Sequence, residues 1–111
     1  MFLDGTDFNG ILNIPECMQK PVMVMVMSDT CGHCVRTKPT FEDFARMYQH
    51  QCVCCKVDVD DERGQAFLRK IGYNLQGVPD FLKFVKGKRV YQSVKGRSID
   101  DFINFMKWKP K

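Results

Sequence analysis

Val22-Met23-Val24-Met25-Val26-Met27 is an uninterrupted apolar run, half of it β-branched, and it leaves the chain few folds to choose from. A strand without polar alternate positions has no face to give to water, so it belongs in the middle of a sheet covered on both sides. Directly after it come Ser28-Asp29-Thr30-Cys31-Gly32-His33-Cys34. Phe41, Phe44, Ala45 and Tyr48 then follow at the i, i+3, i+4, i+7 spacing of an amphipathic helix. Two cysteines three residues apart therefore sit where a buried strand hands over to a helix. Pro39 falls inside the helical stretch, where it removes one backbone donor and kinks the helix near its start.

The remaining pattern extends this alternation. Val53, Cys55, Val57 and Val59 alternate with Cys54, Lys56, Asp58 and Asp60 as a second buried-type strand. Gly64, Phe67, Leu68 and Ile71 keep helical spacing up to Gly72, a C-terminal cap. Gly77-Val78-Pro79 leads into a strand over 81–85, Lys86-Gly87-Lys88 reads as a turn, and 89–94 returns as the antiparallel partner. Ser98 with Asp101 three residues on makes a capping-box pair ahead of Ile99, Phe102, Ile103 and Met106, a closing amphipathic helix. Within 1–20, Phe8, Ile11 and Leu12 begin a short helix that Gly10 and Pro15 interrupt. The expectation is one α/β domain over 1–111, a central mixed β-sheet flanked by α-helices.

Composition narrows the function. With 27% charged residues, nine Phe, three Tyr and one Trp in 111 residues, the chain is not of disordered type. The net charge of +4 divides as −2 over residues 1–55 and +6 over 56–111. Lys83, Lys86, Lys88, Arg89, Lys95 and Arg97 have just Phe84 and Tyr91 interleaved, which reads as a solvated face rather than a nucleic-acid surface and leaves room for an acidic protein partner. The longest apolar run falls far short of the ~20 residues that cross a bilayer. Asp4 and Asp7 precede the first basic residue, Lys20, unlike a secretory signal, so a cytoplasmic protein is expected; a monomer is expected as well. Six cysteines amount to about 5% of the chain, below the ~8–10% of disulfide-built scaffolds, and in a reducing compartment they read as catalytic, metal-binding or buried.

Cys31, at the amino end of a helix, meets unpaired backbone N–H groups and the positive end of the helix dipole, both of which favour a thiolate. It is the candidate nucleophile. Attack on a substrate disulfide would give a mixed disulfide, and Cys34, one turn further on, would attack Cys31 and release the reduced product without any bound cofactor. His33, lying between them, would add positive charge beside the thiolate when protonated and tilt the centre toward oxidising.

These residues resemble a thioredoxin-fold disulfide oxidoreductase. Cys31-Gly32-His33-Cys34 is the CGHC sequence of protein disulfide isomerase domains, and Pro39 stands five residues after the second cysteine. Lys56-Val57-Asp58-Val59-Asp60 is similar to the family's third strand, Val78-Pro79 to its hydrophobic residue and cis-proline, and Gly87 and Gly96 also fit. The resemblance runs from about Asp4 to Trp108 and implies exchange with protein disulfides or thiols, with a thiol reductant or reductase as electron source. It further implies that the backbone at Val78, next to Pro79, pairs with substrate, and it offers Lys56 a role near Cys34. Three positions depart from the family. Thr30 stands where Trp normally offers a docking surface, Met25 where an Asp or Glu normally takes the second cysteine's proton, and Asp80 where Thr is common. A carboxylate at Asp80 that faced the sulfur would raise the Cys31 pKa.

Two other classes compete. Cys31-x2-Cys34 followed by Cys52-x2-Cys55 has the spacing of a four-thiolate zinc ribbon, although in a strand Cys52 and Cys55 would point to opposite faces. A binding or assembly module that keeps its cysteines without turnover is the second, favoured by the missing Trp and carboxylate. Cys17, Cys52, Cys54 and Cys55 otherwise read as small buried hydrophobes, and His50 as a helix-end or solvent-facing residue.

Overall fold

The computed structural model describes residues 2–3, 19–74 and 76–107. Its elements run β1 (Phe2–Leu3), β2 (Val22–Met27), α1 (Gly32–Met47), β3 (Val53–Asp58), α2 (Glu62–Lys70), β4 (Asp80–Val85), β5 (Lys88–Val90) and α3 (Ile99–Met106). The short helix expected within 1–20, and with it Cys17, lies outside the described residues, as does Trp108.

The strands form one sheet in the order β1-β3-β2-β4-β5. β1, β3 and β2 are parallel, and β4 and β5 run antiparallel to their neighbours. β2 is central and every one of its residues is buried. Its alternation of Val and Met sorts onto the two sheet faces, as the period of two demands. Val22, Val24 and Val26 pack with Cys55, Leu82 and Phe84 under Phe67 and Leu68 of α2. Met23, Met25 and Met27 pack with Cys54 and Phe81 under α1 and α3. On that second face the Phe102 ring sits 5.0 Å from Phe81 and 5.7 Å from Phe44, fixing α3 against both sheet and α1. Each such ring contributes on the order of 2 kcal/mol of burial.

Local signals account for the ends. Ser98 and Asp101 form the reciprocal capping box, and Asp61 caps α2 by accepting from the Arg63 N–H at 2.8 Å. Lys86 and Gly87, both at positive φ, make the two-residue hairpin turn, so Lys88 is already paired with Val85. β5 stops at Val90 instead of running to residue 94. The Gln92 N–H bonds back to the Val90 carbonyl at 3.0 Å, a tight turn that carries the chain off the ladder. Lys83 is not on a solvated face. It is 0% exposed, because β4 is covered on both sides, and its ammonium donates to the Phe105 carbonyl at 2.8 Å. Among the described residues, no helix is long and apolar enough to cross a membrane.

Candidate active site

β2 ends under α1, and the turn 28–30 delivers Cys31 as the N-cap of that helix, its N–H bonded to the Ser28 carbonyl at 3.1 Å. Cys34 is one turn inside the helix, on the face turned to the sheet, and fully buried. Both are free thiols. Their environments pull them apart. The Cys31 pKa is lowered first by the backbone N–H and the thiol of Cys34, with further help from the His33 N–H and the Arg36 charge, against a smaller desolvation penalty. The Cys34 pKa is raised by burial, and further by its bond to Cys31 and by charge on Cys31. The Ser28 N–H, 3.5 Å from its sulfur, and the Arg97 charge act in the opposite direction.

The loop before β4 closes the site from the other side. The Val78–Pro79 peptide is cis, and the Val78 carbonyl oxygen stands 3.6 Å from the Cys31 sulfur, close enough to accept from its thiol. Val78 and Pro79 are half-buried, so the peptide edge next to the sulfur remains reachable.

Several expectations need correction. The positive charge that bears on Cys31 is that of Arg36. His33 is exposed, and its Nδ1 lies 2.8 Å from Arg36 Nη2, so the ring is turned to the Arg36 side chain. Its own contribution to the sulfur is the backbone N–H. Lys56 is drawn to α1. Its ammonium bonds Glu42 of α1 at 2.8 Å, and that charge holds the Glu42 carboxyl below the usual carboxylate range. Asp80 does not face the Cys31 sulfur. One of its oxygens accepts from the Tyr73 hydroxyl and the other from the Phe81 N–H at 2.8 Å.

Thr30 is exposed, its hydroxyl 2.8 Å from that of Ser28. Gly32 opens α1, exposed, and a Cβ there would have just the Arg36 guanidinium within 4 Å, at 3.8 Å. Met25 is fully buried in the same core cluster as Cys34 and has no carboxylate to take a proton.

The zinc-ribbon spacing does not become a cluster. Cys34, Cys52 and Cys54 belong to the core under α1, whereas Cys55 points through the sheet to the core under α2. Among the described residues, no group of three or more His, Cys, Asp or Glu side chains converges on a metal position. Ser28, Arg36 and Arg97 bear on the two sulfurs and were not picked out from sequence. Arg36 alone carried a signal there, two residues past Cys34 on the same helix, and Arg97 reaches the site through tertiary folding alone.

A model of the thioredoxin family matches residues 2–108. A thioredoxin-like protein of Invertebrate iridescent virus 6 is 29% identical over 124 residues, covering 95% of this chain and 90% of that protein. The protein disulfide-isomerase of Saccharomyces cerevisiae is 30% identical over 114 residues, covering 95% of this chain, which spans 19% of that longer protein. The solution structure of oxidised thioredoxin from Plasmodium falciparum superposes with a TM-score of 0.67 at 23% identity, covering 92% of this chain and 88% of the other, a likeness of fold alone.

Proposed function

The chain belongs to the thioredoxin family and is a thiol–disulfide oxidoreductase acting on protein thiols and disulfides, and from that premise we propose that Cys31 and Cys34 carry the exchange. The Cys31 thiolate attacks one sulfur of a substrate disulfide. A Cys31–substrate S–S bond forms, the substrate S–S bond breaks, and the departing sulfur leaves as a thiolate that takes a proton from water. Cys34, as its thiolate, then attacks the Cys31 sulfur. The Cys31–Cys34 disulfide forms and the second substrate sulfur departs, so two electrons have passed from the enzyme pair to the substrate. A thiol reductant or reductase restores the dithiol.

The opposite shifts of the two thiols carry this reading. They also time the second step. The bond and charge from Cys31 that hold the Cys34 proton vanish once Cys31 is tied up in a mixed disulfide, while the Ser28 N–H and the Arg97 charge continue to favour the Cys34 thiolate. With Met25 in place of a carboxylate, water takes the proton. The Val78 peptide edge, 3.6 Å from the nucleophile, is the natural place for an extended substrate backbone.

Reduction of insulin disulfides by wild type and by Cys31→Ser tests the assignment. Loss of turnover in the variant is expected; equal rates would remove the catalytic role and favour a binding module. The equilibrium potential against glutathione sets the direction, with about −270 mV marking a reductase and about −180 mV an isomerase or oxidase.

A further inference from the structure

A groove of about 700 Å³ opens from Pro79, directly beyond the carbonyl that touches Cys31, with Phe81 on its floor. Its walls carry three cations, Arg89, Lys95 and Arg97, against the carboxylate of Asp80, which already accepts from Tyr73 and Phe81; the Asp101 carboxylate, which lies against Gly96, accepts from the Ser98 N–H and hydroxyl. The Arg89 guanidinium is held in the wall by the rings of Tyr73 and Tyr91, 5.3 and 4.5 Å away. Lys95 and Arg97 are exposed, and neither is ion-paired among the described residues. Arg97 is near enough to the active-site pair for its charge to act on Cys34.

Among the described residues, the same wall is a chain edge without ladder partners. Once Gln92 has turned the chain off β5, residues 93–97 make no backbone hydrogen bond among the described residues. A stretch of free N–H and C=O groups beside a groove is where an extended chain can add as a strand, with side chains selecting what adds.

We propose that this groove receives an extended acidic segment flanking the substrate's disulfide, and that Lys95 and Arg97 make the enzyme prefer such substrates. The proposal rests on the exchange chemistry assigned to Cys31 and Cys34, and it adds a substrate class to it. A free peptide edge running along the cationic wall favours a polypeptide over a small thiol carrying carboxylates, which would need charge at one point alone.

The test compares two disulfide-bonded peptides, identical except that one carries Asp and Glu around its cysteines and the other Asn and Gln. Reading the ratio of their kcat/KM values within each enzyme cancels any common effect of Arg97 on the thiols. For wild type at low ionic strength the acidic peptide should be favoured about fivefold or more, a preference that falls toward one near ~0.5 M salt. The double variant Lys95→Gln/Arg97→Gln should give a ratio near one, and the charge-conserving Arg97→Lys should keep the preference. A wild-type ratio of one at low salt, or an unchanged ratio in the double variant, overturns the proposal. So does glutathione disulfide reduction that alone depends on Lys95 and Arg97, which would assign the groove to a small thiol. If neither peptide is reduced, the dithiol assignment itself fails, and the groove's role with it.

Discussion

The thiols of Cys31 and Cys34, one helical turn apart, are pulled in opposite directions by the same helix start: the N–H and S–H of Cys34 favour the Cys31 thiolate, and burial keeps the proton on Cys34. Because the thiolate is the alkylated species, iodoacetamide should modify Cys31 first. Its rate should rise with pH and level off below the ~8.5 of an ordinary thiol, while Cys34 reacts above that range. Mass mapping of the modified sites across pH checks this. Simultaneous modification of both with one ordinary midpoint would contradict it.

Arg36 bears on Cys31 by its charge, and His33 by its backbone N–H. Arg36→Gln should therefore move the Cys31 alkylation midpoint to higher pH, whereas His33→Ala, which leaves the backbone N–H in place, should leave it nearly unchanged. The two midpoints measured side by side separate the sources, and the reverse pattern would restore the imidazole to the role that sequence suggested.

Met25 is buried in the same core cluster as Cys34 and pairs across the sheet with Lys56 and Phe81. Met25→Asp should cost about 3 kcal/mol of stability, from burying a carboxyl among Phe and Met side chains. It should also speed the resolution of a preformed mixed disulfide at neutral pH by about tenfold or more, because the carboxylate can take the Cys34 proton. Stopped-flow resolution rates read the second effect and denaturation the first; an unchanged resolution rate would mean that water already suffices.

Lys83 is a fully buried ammonium whose pKa burial lowers, opposed by charge on Cys52. The unfolded chain thus binds its proton more readily than the folded one. Stability should rise with pH between the folded pKa and the unfolded value near 10.4, and the whole penalty should be present at lower pH. Lys83→Met should stabilise the protein by about 1–3 kcal/mol at neutral pH and remove that slope, even though the Phe105 carbonyl loses its donor. Denaturant midpoints at several pH values for both proteins test this, and a destabilised variant would show that the Lys83 bond outweighs its desolvation.

What could be read from sequence was what local pattern fixes. The Val/Met run, the cysteine pair at the helix start, the Ser98–Asp101 cap and the turn at Lys86-Gly87-Lys88 are properties of a few neighbouring residues, and they fold as read except that Lys88 already belongs to β5. Where tertiary contact decides, local pattern was silent or misleading. Arg97 is brought to Cys34 from 63 positions away, and Asp80 is turned aside by a Tyr73 hydroxyl from the preceding loop. Lys83 sits at an alternate strand position that would face water in a half-covered sheet but faces α3 in this one. β5 is shortened by one backbone bond at Gln92 that no residue type announces.

The central claim, that Cys31 attacks and Cys34 resolves, is tested most directly by intact mass after mixing Cys34→Ser with a disulfide-bonded protein substrate. A stable one-to-one mixed disulfide mapped to Cys31, absent from Cys31→Ser and short-lived in wild type, is the predicted result. An adduct on Cys52, Cys54 or Cys55, or none in Cys34→Ser while wild type turns over, would contradict it.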